Sequence, residues 1–201
     1  MQILYERLRE ILLQQSGIQA DETTLKVIGE AKSTCYMWLY CCGTDSPETI
    51  PRDSSISNIV LYDYQNSRRG QCAADFLEGY SGYLQVDGYQ GYAKTLAILV
   101  ACMAHVRRKF LEAETVHRSA DRPKGKTGKA NWALSHIQKL YRIETQIKGE
   151  TTEEKYRIRQ AAALPLLTQF KDWLDKSIQQ VPPKTALGKA LTYSLNQWPK
   201  L

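Results

Sequence analysis

The chain has 201 residues, 43% of them hydrophobic and 24% charged, with a formal net charge of +6. That is the composition of a globular protein able to bury a substantial core, and it excludes a disordered or fibrous chain. The charge is uneven: residues 1–105 carry 8 basic and 12 acidic side chains (net −4), whereas residues 106–201 carry 19 and 9 (net +10), so the second half suits an acidic partner.

The N-terminal MQILYERLREILLQQ spaces Ile3, Leu4, Leu8, Ile11 and Leu12 three and four apart, which predicts a helix over 3–15. Its interspersed Glu and Arg exclude a signal peptide or anchor. Residues 18–28, 34–42 and 56–64 are rich in Ile, Val, Thr, Tyr and Trp and are separated by breakers at Gly29, 43–51 and 65–70. Three such runs joined by short loops predict an antiparallel meander. A short helix over 73–79 and a strand over 83–87 follow, then an apolar run at 96–104 that is too short to span a bilayer. That run carries no period, and it is read as a strand leading into a helix over 106–116. Residues 117–129, HRSADRPKGKTGK, form a polar, basic loop. Beyond it lie three amphipathic helices. One carries Trp132, Ile137, Leu140, Tyr141 and Ile147, and the next carries Leu164, Leu167, Phe170, Leu174 and Ile178, kinked at Pro165. The last follows Pro182-Pro183 and carries Leu187, Leu191, Leu195 and Trp198. The expected division is an α/β core over 1–117 and a basic loop with a helical segment over 118–201. Five cysteines at irregular spacing (35, 41, 42, 72 and 102) read as reduced thiols of a cytoplasmic protein.

Asp21 falls inside one predicted strand and Asp87 ends another. Acids are disfavoured in strands. Either the two are ordinary surface residues at strand ends, or they converge on a hard cation such as Mg²⁺, which is held by a few carboxylates plus water and phosphate oxygens.

Five segments bear on that choice, in order along the chain: ADET at 20–23, RRGQCAADFLEGYSGYLQVDGYQGY at 68–92, ACMAHVRRKFLEA at 101–113, LYRIE at 140–144 and LTYSLNQWPKL at 191–201. Together they resemble the transposases of the insertion sequence 66 family over nearly the whole chain. The resemblance implies a ribonuclease H-like mixed sheet with a C-terminal all-helical insertion and an Asp-Asp-Glu triad. It also implies Mg²⁺-dependent hydrolysis and strand transfer at transposon ends. By position, Asp21 and Asp87 are the first two triad acids and the metal ligands. Glu22, the next residue in the strand, points to the opposite face and is not expected to be a ligand. The family's third acid lies in an Asn-Asn-x-x-Glu-like segment beyond the NQW stretch, and Glu144, Glu150, Glu153 and Glu154 lack that context. The expectation is therefore a central piece of a transposase, its fold incomplete at the C-terminus, its Mg²⁺ weakly held or absent, and inactive alone. The alternative is a non-enzymatic remnant or DNA-binding accessory protein.

Cys102 and His105 form a C-x-x-H step with no second ligand pair, so zinc is not expected. The resemblance makes them supports of the core. Arg68 and Arg69 stand in the family's Arg-containing turn, and Arg107, Arg108 and Lys109 start a predicted helix. With Lys124, Lys126 and Lys129 of the basic loop they are the candidate DNA contacts, suited to phosphate binding without sequence preference. DNA is the expected partner, together with a full-length transposase or the missing C-terminal segment. An oligomer is compatible with the sequence, and no membrane partner is expected.

Overall fold

Three stretches in which burial alternates over part of their length make the meander. In a computed structural model, which describes residues 2–29, 34–43, 58–118 and 128–201, they are β1 (Gly17–Leu25), β2 (Cys35–Cys42) and β3 (Ile59–Gln65), paired antiparallel in sequence order. β4 (Tyr83–Val86) pairs in parallel with the other edge of β1, and β5 (Ile98–Ala101) pairs in parallel with β4. The sheet order is β3-β2-β1-β4-β5, a mixed five-stranded sheet with β1 at its centre.

One face of this sheet is covered. Ile18 and Ala20 of β1, Trp38, Tyr40 and Cys42 of β2, Ile59 and Leu61 of β3, and Leu84 and Val86 of β4 form one core. Leu12 of α1 (Gln2–Leu13), Ala73, Phe76 and Leu77 in and just after α2 (Gly70–Phe76), and Tyr80 and Tyr92 complete it. Tyr40 stacks on Phe76 with ring centroids 3.8 Å apart. The short helix starts three residues earlier than the sequence predicts, and Gly70 shows why. A Cβ there would lie 2.2 Å from the Gly91 carbonyl oxygen, so the first turn of α2 sits directly on the backbone of the 3-10 turn Gln90–Lys94. The apolar run at 96–104 is strand only over Ile98–Ala101, because its partner β4 offers four residues for pairing.

Asp63 continues the covered row of β3 beyond Leu61, opposite Trp38. Burial pushes its carboxyl above the usual range, and hydrogen bonding from Gln65 (Nε2 to Oδ2, 2.9 Å) with the charge of Arg9 only partly offsets this. A folded-state pKa above the unfolded one means that stability is lost as pH rises through it. Asp63→Asn is therefore expected to stabilise the protein at pH 7 and to make little difference well below the ordinary Asp pKa of about 3.9. Urea melts at the two pH values would show this, and a destabilised variant at pH 7 would contradict it.

By contacts, the chain divides into Met1–Ala101 (with Lys200) and Cys102–Pro199 (with Leu201), ahead of the 117/118 boundary suggested by sequence. Among the described residues the second unit holds helices and no strand: α3 (Met103–Arg118), α4 (Lys129–Gln146), α5 (Thr152–Ile158), α6 (Leu164–Ile178) and α7 (Ala186–Gln197). α3 belongs here because Val106, Phe110 and Ala113 pack with Ala130, Ala133 and Ile137 of α4, Phe170 and Leu174 of α6, and Leu187 and Leu191 of α7. The irregularity expected at Pro165 takes the form of a π turn over Arg159–Ala163, just before the proline. Pro165 has no N–H for the carbonyl of Ala161, and a wider turn absorbs the missing bond. Thr185 caps α7 by accepting the Gly188 N–H at 3.0 Å. Among the described residues no helix is long and apolar enough to cross a membrane.

Candidate metal centre

β1 and β4 run in parallel with Gly17 opposite Tyr83, Ile18 opposite Leu84 and Gln19 opposite Gln85. Carrying that register on by two residues sets Asp21 beside Asp87, the residue that follows the end of β4 and its neighbour. Asp21 shares the side of β1 that holds Gln19 and Thr23, away from the covered core. The two carboxylates offer oxygens within 4.8 Å of each other, with Asp21 exposed and Asp87 half-buried. A backbone amide steadies each: Glu22 N–H donates to Asp21 Oδ1 at 3.0 Å, and Tyr89 N–H donates to Asp87 Oδ1 at 2.7 Å.

Two negative charges at this separation repel by about 1 kcal/mol in bulk water and about 3–4 kcal/mol at an effective dielectric of 20. A divalent cation between them would reverse the sign. The two carboxylates are hard oxygen donors, open to solvent on the Asp21 side, and such donors suit Mg²⁺ with its retained waters. Among the described residues no third carboxylate joins the pair.

The other face of β1 carries what the sequence reading passed over. Glu22 does point away from Asp21, but its side chain is 1% exposed. One carboxylate oxygen accepts both Nε (2.8 Å) and Nη2 (2.5 Å) of Arg68, and the other accepts the Tyr92 hydroxyl at 2.6 Å. Tyr92 is fully buried, with its ring edge-on to Trp38. Burial foremost, then the hydrogen bond to Glu22 and its charge, push the phenol far above its usual range, so it remains a donor. The Arg68 guanidinium lies 4.2 Å from the Tyr89 ring centroid, and the Tyr89 hydroxyl donates to the Arg68 carbonyl oxygen. Burial works against the Arg68 charge, but the hydrogen bond and charge of Glu22, helped by Tyr89 and Asp87, outweigh it and raise its pKa. The sequence did hold a signal: Ile18, Ala20 and Glu22 fall on one alternating face, and an acid continuing a buried row requires partners.

Of the other predicted residues, Arg69 is exposed at the start of α2. In the helical unit Arg108 is exposed, while Arg107 and Lys109 flank it half-buried, with Lys109 3.4 Å from Glu112. Lys129 is engaged within the bundle: its Nζ donates to Ser177 (3.2 Å) and Gln180 (2.9 Å). The Cys102-x-x-His105 step opens α3, the Cys102 carbonyl accepting the His105 N–H at 3.1 Å. Lys124 and Lys126 lie outside the described residues.

Comparison with known proteins agrees with the resemblance in the sequence. The model of the Transposase IS66 family matches residues 1–201. The chain belongs to this family. Two similar proteins from Sinorhizobium fredii (strain NBRC 101917 / NGR234) are uncharacterized protein y4hP, 29% identical over 90% of this chain and 34% of its own length, and uncharacterized protein y4jD, 29% identical over 97% and 38%. The chain thus spans little more than a third of the length of the curated relatives it matches. No solved structure matches it significantly.

Proposed function

We propose that the chain carries part of the catalytic core of a DNA transposase, with Asp21 and Asp87 as two of the acids that hold Mg²⁺ for phosphodiester hydrolysis and strand transfer at transposon ends. The observation that carries this reading is the meeting of two aspartates, 66 positions apart in sequence, where β4 ends beside the middle of the parallel strand β1. The strand order β3-β2-β1-β4-β5, with the first three antiparallel, supports a ribonuclease H-like core. Bound Mg²⁺ would supply an activated water and charge stabilisation for the leaving oxygen. The protein's own contribution is to hold two carboxylates against their mutual repulsion and to bring phosphates to them.

The basic half of the chain, at net +10, supports phosphate contact without base reading. Three such contacts, by Arg108 and two further cations of that half, would weaken binding roughly 40-fold between 50 and 200 mM salt. Fluorescence anisotropy with two unrelated duplexes is expected to show that slope for both, and a flat dependence would remove the electrostatic account. Because no third carboxylate joins Asp21 and Asp87 among the described residues, these 201 residues alone are expected to cleave no DNA. Mg²⁺-dependent nicking of a supercoiled plasmid by the purified chain, lost on Asp87→Ala, would show that two acids suffice.

A further inference from the structure

Burying a carboxylate costs several kcal/mol of desolvation that hydrogen bonds must offset, and both oxygens of Glu22 are hydrogen-bonded. Its three bonds link parts of the first unit that are far apart in sequence. Arg68 belongs to the turn between β3 and α2, and Tyr92 belongs to the 3-10 turn after β4. Tyr89 closes the ring: its hydroxyl is on the Arg68 carbonyl, its ring is under the Arg68 guanidinium, and its N–H is on Asp87. From Asp21 the path runs one residue along β1 to Glu22, across to Arg68 and Tyr92, and back through Tyr89 to Asp87. The close approach of Gly70 and Gly91 ties the same two segments at the backbone.

We propose that Glu22 is a positioning residue for the Asp21–Asp87 pair. It acts through Arg68 and Tyr92 to hold the segment 87–92 in place, so that Asp87 stays beside Asp21 although the two carboxylates repel. This rests on the reading of Asp21 and Asp87 as a metal site. The arrangement also presents Arg68. Glu22 occupies its Nε and one side of Nη2, and the side chain is still 45% exposed. So held, the exposed part of the Arg68 side chain is available to a phosphate oxygen.

Charge and position make opposite predictions for one variant. Arg68→Met removes a positive charge that acts on Asp87, so electrostatics alone would tighten divalent cation binding. If Arg68 and Glu22 position Asp87, the same change weakens it. Mn²⁺ alone is the probe, its free concentration followed by electron paramagnetic resonance in titrations of the whole chain, with circular dichroism and urea melts confirming that each variant is folded. The expected result is weaker Mn²⁺ binding by about 10-fold or more for Arg68→Met, the size typical of lost outer-shell support. A smaller loss is expected for Tyr92→Phe, which changes no charge. Tighter or unchanged binding by folded Arg68→Met, or wild-type affinity in Tyr92→Phe should Arg68→Met not fold, would overturn the proposal. Asp87→Ala separates the two levels. If it leaves Mn²⁺ binding unaltered, the metal-site reading itself fails and the positioning role falls with it; if it abolishes binding while Tyr92→Phe and Arg68→Met leave it intact, only the positioning role fails.

Discussion

Asp87→Asn is expected to cost more than 10-fold in Mg²⁺ affinity while leaving the fold intact. Loss of support outside the coordination shell already costs roughly 10–100-fold, and a direct ligand should cost at least as much. Asn is nearly isosteric with Asp and keeps a side-chain oxygen that can accept the Tyr89 N–H, as Asp87 Oδ1 does at 2.7 Å, so the turn after β4 should persist. The stability effect should change sign with the metal. Without divalent cations the variant loses the repulsion with Asp21, whose carboxylate lies within 4.8 Å, and should unfold at the same or higher urea concentration. With Mg²⁺ well above its dissociation constant the wild type gains RT ln(1 + [L]/Kd), about 2.7 kcal/mol at 100 times Kd, and the order reverses. Calorimetric titration and paired melts with and without Mg²⁺ read both effects. Equal Mg²⁺ affinity in the two proteins would remove Asp87 from the site.

Phe170→Ala should destabilise the helical unit by about 3–5 kcal/mol, the usual cost of emptying a fully buried aromatic site. Phe170 is completely buried and sits at the meeting point of the bundle's rings: Phe110 of α3, Trp132 and His136 of α4, Trp173 of its own helix, and Trp198 after α7. Trp132 and Trp173 stack with centroids 4.5 Å apart, and His136 stacks on Trp132 while its Nε2 lies 2.7 Å from the Leu166 carbonyl oxygen. These flat, rigid groups cannot collapse into the space a ring leaves, so the upper part of the range is expected. Against a typical net stability of 5–15 kcal/mol this is a large fraction. Urea melts followed by tryptophan fluorescence and near-ultraviolet circular dichroism would show it, and a loss below about 1 kcal/mol would mean that the stack is not a load-carrying core.

Much of this is legible in the sequence. The β-branched and aromatic content of residues 18–28, 34–42 and 56–64 is a local property of each strand, and it marked the meander correctly to within a few residues at each end. The helical second half was readable for the same reason, since three- and four-residue spacing reports one buried face. The start of α2 was not, because it depends on Gly70 meeting Gly91, a contact between segments about twenty residues apart. Nor was the length of β5, which is set by how many residues β4 offers it.

The sequence by itself determined most of the elements, the family, the acidic first half and basic second half, and Asp21 and Asp87 as the acids to watch. Only the tertiary structure decided that these two carboxylates share one place, through the parallel register of β1 and β4. It also turned Glu22 from a residue set aside into the centre of a buried network, and gave Arg68, first read as a DNA contact, a partner inside the protein. The physical reason is the same in each case. Periodicity is written along the chain, whereas strand register and the partner of a buried charge depend on segments that meet only when the core closes.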